Sequence, residues 1–209
     1  MRLIWVRHGE TDANRAGRYV GHLDPSLNET GVRQINQLRR LLADESPTAL
    51  FTSDLRRCVE TSEVLKRTWE IKPKITASLR EISFGEWEGN TYDEIMQENP
   101  EAANKWYDNP FDHAPPDGET LAQFGERIDQ WLNWLLTICP NDATILIVSH
   151  GGVIRWFQSK WMEKDHSRFW QVAGLRHGQA MAVEQNGDGW LCVSLLEGRN
   201  EPTDDSTIS

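Results

Sequence analysis

The chain has 209 residues, of which 38% are hydrophobic and 26% charged, and its formal net charge is −10. This balance is typical of a soluble globular protein, and the net charge disfavours nucleic acid as a partner because phosphate backbones require a basic surface. No apolar run approaches the roughly 20 residues that span a bilayer, so we expect no membrane association. A small anionic ligand stays compatible with the composition, because a few arginines in a cleft suffice to bind it.

The N-terminal segment and the cysteines indicate a cytoplasmic protein. Met1–Val6 carries one basic residue and is too short for the apolar region of a signal peptide. Cys58, Cys139 and Cys192 lie far apart, and an odd number of cysteines without CxxC spacing is a poor disulfide framework. We interpret them as small buried side chains in a reducing compartment.

The first half of the chain is predicted to alternate strands with helices. A continuous apolar run predicts a buried first strand, and a long polar loop follows it from 9 to 28. Asp54 is predicted to cap the second helix. The predicted strands and helices are a strand over 2–6, a helix over 30–43, a strand over 48–52, a helix over 54–69 and a strand over 74–77.

The second half begins with a segment of different character. Residues 79–119 are rich in Glu, Asn, Asp, Pro and aromatic side chains, which indicates loops and short helices that form a lid or inserted subdomain, with a turn at 115–118. The remaining predicted elements are a helix from Thr120 to about Pro140, a strand over 144–149, a helix from Gly151, a hairpin over 177–183 and 190–196, and a disordered tail over 198–209.

This order predicts an α/β fold with a mostly parallel central sheet flanked by helices, an inserted helical lid and a C-terminal hairpin, in a single domain over 1–197. Two buried strands each stop at a histidine, in Arg7-His8 and in Ser149-His150. Ligands of open α/β sheets bind outside the carboxyl ends of the strands. We therefore expect His8 and His150 at the site where chemistry occurs.

The residues around these strand ends suit phosphate chemistry. A neutral imidazole such as His8 can attack phosphorus without a metal, and a neighbouring Arg7 can hold phosphate oxygens in a bidentate fork. Each motif also has a plain structural interpretation. Arg7-His8 can be a solvated strand end, His150-Gly151-Gly152 a capped helix, and Arg56-Arg57 a pair of surface arginines. In so acidic a chain, Glu81 by itself does not indicate a functional site.

Taken together, the motifs resemble those of the histidine phosphatase superfamily, also called the phosphoglycerate mutase-like family. Arg7-His8-Gly9-Glu10-Thr11 resembles its opening signature, and the further matches follow in the family's order over most of residues 1–160. They are Asn14, Gly21, Asp24, Leu27, Gly31, Ser53, Leu55, Arg57, Leu79, Glu81, Phe84-Gly85, Trp87, Glu88-Gly89, Pro116–Thr120 and His150–Gly152. Residues 25–28 read Pro-Ser-Leu-Asn where the family commonly has Pro-Leu-Thr.

The resemblance implies a phosphoglycerate mutase-like fold and a role for each matching residue. It implies a nucleophilic His8, a proton donor at Glu81, and a phosphate clamp with a protonated His150. The full set of implied catalytic residues is His8, Glu81, Arg7, Arg57 and His150. The implied or candidate substrate-binding residues are Asn14, Gly21, His22 and Gly151. We expect no metal and no organic cofactor, because the arginines would supply the charge that a metal supplies elsewhere.

The substrate is expected to be a small phosphomonoester. Met1–Asn14, Tyr19–His22, Phe84–Glu88 and Phe169-Trp170 are similar to the alpha-ribazole phosphatase subgroup, which implies a role in cobalamin biosynthesis. The alternatives are a phosphoglycerate mutase, a broad-specificity sugar phosphate phosphatase, and a non-catalytic module that binds a phosphorylated ligand. The sequence leaves the oligomeric state open, with a homodimer as one alternative.

The other histidines and the tryptophans receive plainer interpretations. His113, His166 and His177 are predicted to be surface or packing residues. Trp87 and Trp106 are candidates for contacts between the lid and an organic leaving group, and most of the ten tryptophans suit core positions.

Overall fold

A six-stranded sheet runs through the centre of the computed structural model, which describes residues 1–197. The strands are β1 (Arg2–Arg7), β2 (Ala49–Ser53), β3 (Lys74–Thr76), β4 (Thr144–Ser149), β5 (Ala180–Asn186) and β6 (Gly189–Leu196). Their order is β3-β2-β4-β1-β5-β6. The first four are parallel, and β5 is antiparallel to β1 and β6. The predicted mostly parallel sheet and C-terminal hairpin are confirmed, while the predicted disordered tail over 198–209 lies outside the described residues.

Seven α-helices occur within residues 1–197. They are α1 (Asp12–Arg15), α2 (Glu29–Leu41), α3 (Arg56–Leu65), α4 (Tyr92–Glu98), α5 (Pro100–Asp108), α6 (Leu121–Ile138) and α7 (Gly151–Trp156). A π-helical segment, Phe157–Met162, continues α7. Thr120 starts α6 as predicted, because it forms a capping box with Gln123.

Two local predictions were wrong. Asp54 does not cap α3; Leu55 occupies that position without a side-chain hydrogen bond, and Asp54 instead pairs with Arg80 at 2.6 Å. The predicted continuous loop over 9–28 contains α1, whose first turn is closed by a capping box between Thr11 and Asn14. In both cases a side chain found a partner that helix periodicity does not reveal.

The central strands of the sheet, β1, β2 and β4, are buried on both faces, which explains the continuous apolar run of β1. Leu3 and Trp5 pack on one face with residues of α6 and α7, while Ile4 and Val6 pack on the other face with residues of α2 and α3. Successive side chains of a strand point to opposite faces, so a strand covered on both sides must be apolar throughout. This core fixes the carboxyl ends of β1 and β4.

The segment over 79–119 contains α4 and α5, in agreement with the short helices predicted there. Both helices pack in a separate small cluster with Trp87, Ile95, Ala103 and Trp106. Within residues 1–197, no helix is both long and apolar enough to cross a membrane.

Candidate active site

Three adjacent strands bring the motif residues to one edge of the sheet. In the register of β1 with β4, Arg7 lies opposite Ser149, and the backbone N–H of His8 donates to the carbonyl of Ser149 over 3.1 Å. The rings of His8 and His150 then lie edge to face, with centroids 5.1 Å apart. The strand β2 ends beside them, where the Ser53 hydroxyl lies 2.9 Å from Nε2 of His150. The predicted juxtaposition of the two histidines is therefore observed.

The His8 ring is held in one orientation by its own loop. Its Nδ1 lies 2.7 Å from the carbonyl oxygen of Gly9, so Nδ1 carries the proton and donates it there. Nε2 is then the unprotonated nitrogen, which carries the lone pair. A Cβ at Gly9 would lie 2.6 Å from the carbonyl oxygen of Gly31, so only glycine lets this loop approach α2.

Arg57 is buried beside this nitrogen. Its Nε donates to Nε2 of His8 over 3.3 Å, and its two terminal nitrogens donate to the carbonyls of Leu23 and Gly21 at 2.7 Å each. Burial lowers the pKa of the Arg57 guanidinium. The neighbouring Arg56 is exposed. The structure therefore brings Arg57, and not Arg56, to the candidate nucleophile, as the family resemblance implied.

Arg7 supplies a second guanidinium to the same place. One terminal nitrogen donates to the carbonyl of Leu175 over 2.7 Å, while Nε is buried without a hydrogen-bond partner among residues 1–197. Burial is also the main cause that lowers the pKa of Arg7. An unpaired buried guanidinium N–H group is costly, and an anionic oxygen is the partner that would satisfy it best.

The electrostatics of His8 favour a neutral imidazole. Complete burial is the first cause that holds its pKa well below the ordinary value, and the positive charge of Arg57 is the second. A neutral ring with an unprotonated Nε2 is the form that can attack phosphorus.

His150 departs from the sequence-based expectation. It was expected to be protonated, but it is fully buried, and burial followed by the charge of Arg57 holds its pKa well below the ordinary value. Its ring contacts Ser53 and the thiol of Cys58 and does not line the cleft described below. Burial and the charge of Arg57 therefore favour the neutral form of His150, and the positive charge that lines the cleft comes from Arg7 and Arg57.

Glu81 faces the histidines from the segment that follows β3. Its carboxylate accepts the backbone N–H of Ile82 at 3.1 Å and of Gly152 at 3.0 Å. A Cβ at Gly152 would lie 2.2 Å from a carboxylate oxygen of Glu81, so the glycine is required for this contact. The carboxylate is thereby fixed at the start of α7.

Arg127 fixes the backbone of the same segment, a role that the sequence analysis missed. Its guanidinium donates to the carbonyls of Ser78 and Arg80 at 3.0 and 3.1 Å and pairs with Glu119 at 2.9 Å. It also reaches the carbonyl of Glu81 at 3.4 Å. We call this set of contacts the Arg127 clip. An arginine on a helix gives no sequence signal for partners 46–49 residues away.

A cleft of about 390 Å³ opens over these groups. Among its lining residues are the predicted ones Arg7, His8, Asn14, Gly21, Arg57 and Glu81. Asn14 uses its amide oxygen to accept from Thr11, which leaves its N–H groups for a ligand.

Two predicted substrate contacts lie elsewhere. The His22 ring does not line the cleft; its Nε2 lies 3.0 Å from the carbonyl oxygen of Glu81. Gly151 lies beside the Arg7 guanidinium and lines a second cavity next to the cleft.

His177 is in the site, although the sequence analysis predicted a surface or packing residue. It lines the cleft, and its ring centroid lies 5.3 Å from that of His8. Burial, then Arg7 and Arg57, lower its pKa to about 3. A signal was available: His177 precedes an antiparallel strand, and the start of such a strand lies at the carboxyl ends of its parallel neighbours.

The arrangement can bind a phosphoryl group with two arginines, attack it with one imidazole and exchange a proton through one carboxylate. No group of three or more His, Cys, Asp or Glu side chains that could hold a metal ion occurs within residues 1–197. A larger cavity of about 510 Å³ lies by Ile75 and Trp134 at the β3 edge, but it contains none of the motif residues.

Comparison with known proteins agrees with this geometry. The model of the histidine phosphatase superfamily, branch 1, matches residues 3–197. An adenosylcobalamin/alpha-ribazole phosphatase of Salmonella typhimurium is 30% identical over 200 residues, which are 95% of this chain and 92% of the relative. The Escherichia coli protein of the same name is 34% identical over 155 residues, 74% of this chain and 75% of the relative.

Solved structures give the same result. The alpha-ribazole phosphatase of Shigella flexneri superposes with a TM-score of 0.85 at 29% identity. The superposition covers 92% of this chain and 94% of the Shigella flexneri chain. A mycobacterial glucosyl-3-phosphoglycerate phosphatase in complex with VO3 superposes with a TM-score of 0.82 at 26% identity, over 91% and 96% of the two chains.

Proposed function

This chain belongs to the histidine phosphatase superfamily, and on that premise we propose that it hydrolyses small phosphomonoesters through a phosphohistidine on His8, without a metal ion. The observation that carries the proposal is the environment of the His8 ring. The proton on Nδ1 is committed to Gly9, and Nε2 lies next to Arg57 at the floor of the cleft.

The first half-reaction moves the phosphoryl group to the enzyme. Nε2 of His8 forms a bond to phosphorus while the bond from phosphorus to the alcohol oxygen breaks. Arg7 and Arg57 stabilise the charge on the three remaining phosphoryl oxygens. These interactions accelerate the step because the arginines bind the oxygens more strongly in the transition state than in the ground state. The Glu81 carboxyl gives its proton to the departing oxygen, so the alcohol leaves neutral.

The second half-reaction restores the enzyme. A water molecule attacks phosphorus, Glu81 accepts a proton from it, and the bond between phosphorus and Nε2 of His8 breaks. Inorganic phosphate leaves, and Glu81 is again protonated for the next cycle. The two backbone N–H groups that hold the Glu81 carboxylate keep it in place for both steps.

We propose alpha-ribazole 5′-phosphate as the substrate, which would place the enzyme in cobalamin biosynthesis. The similarity to the adenosylcobalamin/alpha-ribazole phosphatases of Salmonella typhimurium and Escherichia coli supports this substrate, as does the likeness to the Shigella flexneri structure. The net charge of −10 supports a small substrate rather than nucleic acid.

Phosphate release from a panel of phosphomonoesters in the presence of EDTA tests the proposal. The panel contains alpha-ribazole 5′-phosphate, ribose 5-phosphate, 3-phosphoglycerate and p-nitrophenyl phosphate. We expect release that EDTA does not reduce. No release from any of them, conversion of 3-phosphoglycerate to 2-phosphoglycerate without release, or activity that returns only with a divalent metal would overturn it.

A further inference from the structure

A second cavity of about 270 Å³ lies next to the catalytic cleft and has a different chemistry. It shares Arg7, Glu81 and Phe84 with the cleft. Its other walls include the aromatic side chains of Trp106, Phe169 and Trp170. We call this space the aromatic side cavity. Phe169-Trp170 is one of the segments that are similar to the alpha-ribazole phosphatase subgroup, and it has no role in the catalytic steps proposed above.

The aromatic walls form one connected set. Phe84 and Trp106 meet edge to face with centroids 5.9 Å apart, Trp106 and Trp170 do so at 5.9 Å, and Phe169 and Trp170 at 4.7 Å. Trp170 is nevertheless 56% exposed, whereas Trp106 is 2% exposed. A large exposed aromatic side chain at the mouth of a concave aromatic site is typical of a surface that binds a planar ligand.

The position of Glu81 relates this cavity to the reaction. Glu81 lines both the cleft and the aromatic side cavity, and it is the group that protonates the departing oxygen. The attacking nitrogen and the departing oxygen lie on opposite sides of phosphorus. The leaving group therefore extends past Glu81, away from His8. The aromatic side cavity, which Glu81 lines and His8 does not, is the neighbouring space that can receive it.

The cationic group of the cavity favours the same ligand. Arg155 lines it and donates to the carbonyl of Val172 over 2.6 Å, and it forms no ion pair with a carboxylate among residues 1–197. A guanidinium plane stacks well on an aromatic ring. Aromatic walls with a guanidinium suit a planar heteroaromatic ring better than a bare sugar.

We propose that the aromatic side cavity is the binding site for the base of a nucleotide-like substrate, with Trp170 as the residue that determines specificity for that base. The proposal rests on the proposed phosphatase function and names its leaving-group site. For alpha-ribazole 5′-phosphate, the dimethylbenzimidazole ring lies in the aromatic side cavity against Trp170 while the 5′-phosphate lies over His8.

The test compares two substrates that differ by the base alone, alpha-ribazole 5′-phosphate and ribose 5-phosphate, and its readout is the ratio of their kcat/KM values. The wild-type ratio should favour the nucleotide by at least about tenfold, the usual worth of stacking one base on an aromatic side chain. Trp170→Ala should reduce that ratio about tenfold, and Trp170→Phe, which keeps an aromatic face, should retain most of it.

Two further variants control the result. Tyr92 is 50% exposed and lines the catalytic cleft, so it is the alternative aromatic side chain on which the base could stack. Trp134 is 46% exposed and lies at the β3 edge, away from the site, so Trp134→Ala should leave both rates unchanged. A ratio that collapses in Tyr92→Ala but not in Trp170→Ala places the base at the mouth of the cleft and overturns the proposal.

The two proposals fail in distinguishable ways. A wild-type enzyme that hydrolyses both compounds equally well contradicts the base site and leaves the phosphatase function intact. A wild-type enzyme that hydrolyses neither compound but releases phosphate from another member of the panel contradicts the base site and the alpha-ribazole substrate. An enzyme that releases phosphate from no member of the panel contradicts the proposed function itself. Unchanged thermal unfolding of Trp170→Phe and Trp170→Ala shows that a lower ratio comes from binding and not from misfolding.

Discussion

Nε of Arg57 donates a hydrogen bond to Nε2 of His8 over 3.3 Å. The lone pair that would attack phosphorus is therefore already in contact with a phosphate-binding cation. The carbonyls of Gly21 and Leu23 hold the rest of that guanidinium in place. When a phosphoryl group enters the cleft, Nε of Arg57 can donate to one of its oxygens instead of to His8. The lone pair on Nε2 of His8 is then free to attack phosphorus.

Arg57→Ala should lower kcat/KM for p-nitrophenyl phosphate by about 10²–10³-fold, the usual cost of one lost transition-state donor. Arg57→Lys should restore little of this, since one ammonium cannot reach Gly21, Leu23 and the phosphoryl group together. The adjacent Arg56→Ala is the matched control because Arg56 is exposed, and its rate should stay near wild type. Equal losses in the two alanine variants would show that general charge, and not position, matters.

Glu81→Gln should have an effect that depends on the leaving group. An alkoxide is a strong base and needs a proton, so hydrolysis of an alkyl phosphate should slow by about 10²–10⁴-fold. The p-nitrophenolate ion leaves without a proton, so phosphorylation of His8 by p-nitrophenyl phosphate should slow much less.

Hydrolysis of the phosphohistidine would still lack its base in this variant. Stopped-flow measurements should therefore show a burst of p-nitrophenol followed by a slow steady state. If both substrates slow by a similar factor and no burst occurs, Glu81 is not the proton donor, and Glu10, Glu86 and Glu88 become the candidates.

Arg127→Ala tests whether the Arg127 clip positions Glu81. Loss of hydrogen bonds to a charged group should destabilise the protein by about 1.5–3 kcal/mol and lower kcat more than it raises KM, because Glu81 loses its fixed backbone. Lys105→Ala removes the exposed ion pair with Glu101 and should change neither stability nor rate appreciably. Urea unfolding with parallel kinetics measures both effects. Loss of stability with an unchanged kcat would leave the clip as a purely structural feature.

Three histidines with lowered pKa values, of which His8 and His150 are buried and His177 is partly buried, should make the fold less stable in mild acid. His8, His150 and His177 have lowered pKa values in the folded protein, so the unfolded chain binds more protons once the pH falls below about 6.5. The free energy of unfolding therefore decreases as the pH falls. For His177, whose folded pKa is about 3, the loss between pH 7 and pH 5 should be about 2 kcal/mol.

His177→Gln isolates this contribution. Urea unfolding at several pH values should show the wild type losing about 2 kcal/mol more than the variant between pH 7 and pH 5. Parallel stability curves for the two proteins would mean that the pKa of His177 is the same in the folded and the unfolded state, which would contradict its lowered value.

The sequence was sufficient for the parts of the molecule that short-range patterns determine. The continuous apolar run of β1 reflects a strand covered on both faces, and the capping box at Thr120 marks a helix start. Asp54 was misassigned because its partner, Arg80, is 26 residues away and belongs to another element.

The residues of the site were predictable to the same extent, where strand order alone brings them together. Arg7-His8 and His150 end parallel strands, so their proximity follows from topology. His177 reaches the site only because β5 pairs antiparallel with β1, where Ala180 lies opposite Val6. The lowered pKa of His150 depends first on its burial, which no spacing in the sequence indicates.

The most direct test of the central claim is to trap the phosphoenzyme. Wild-type protein quenched during turnover of ³²P-labelled substrate should carry label that is stable in base and lost in acid, as a phosphoramidate is. His8→Ala should carry none, and the surface variant His113→Gln should carry the wild-type amount. Label that survives acid, or label that persists in His8→Ala, would contradict a phosphohistidine on His8.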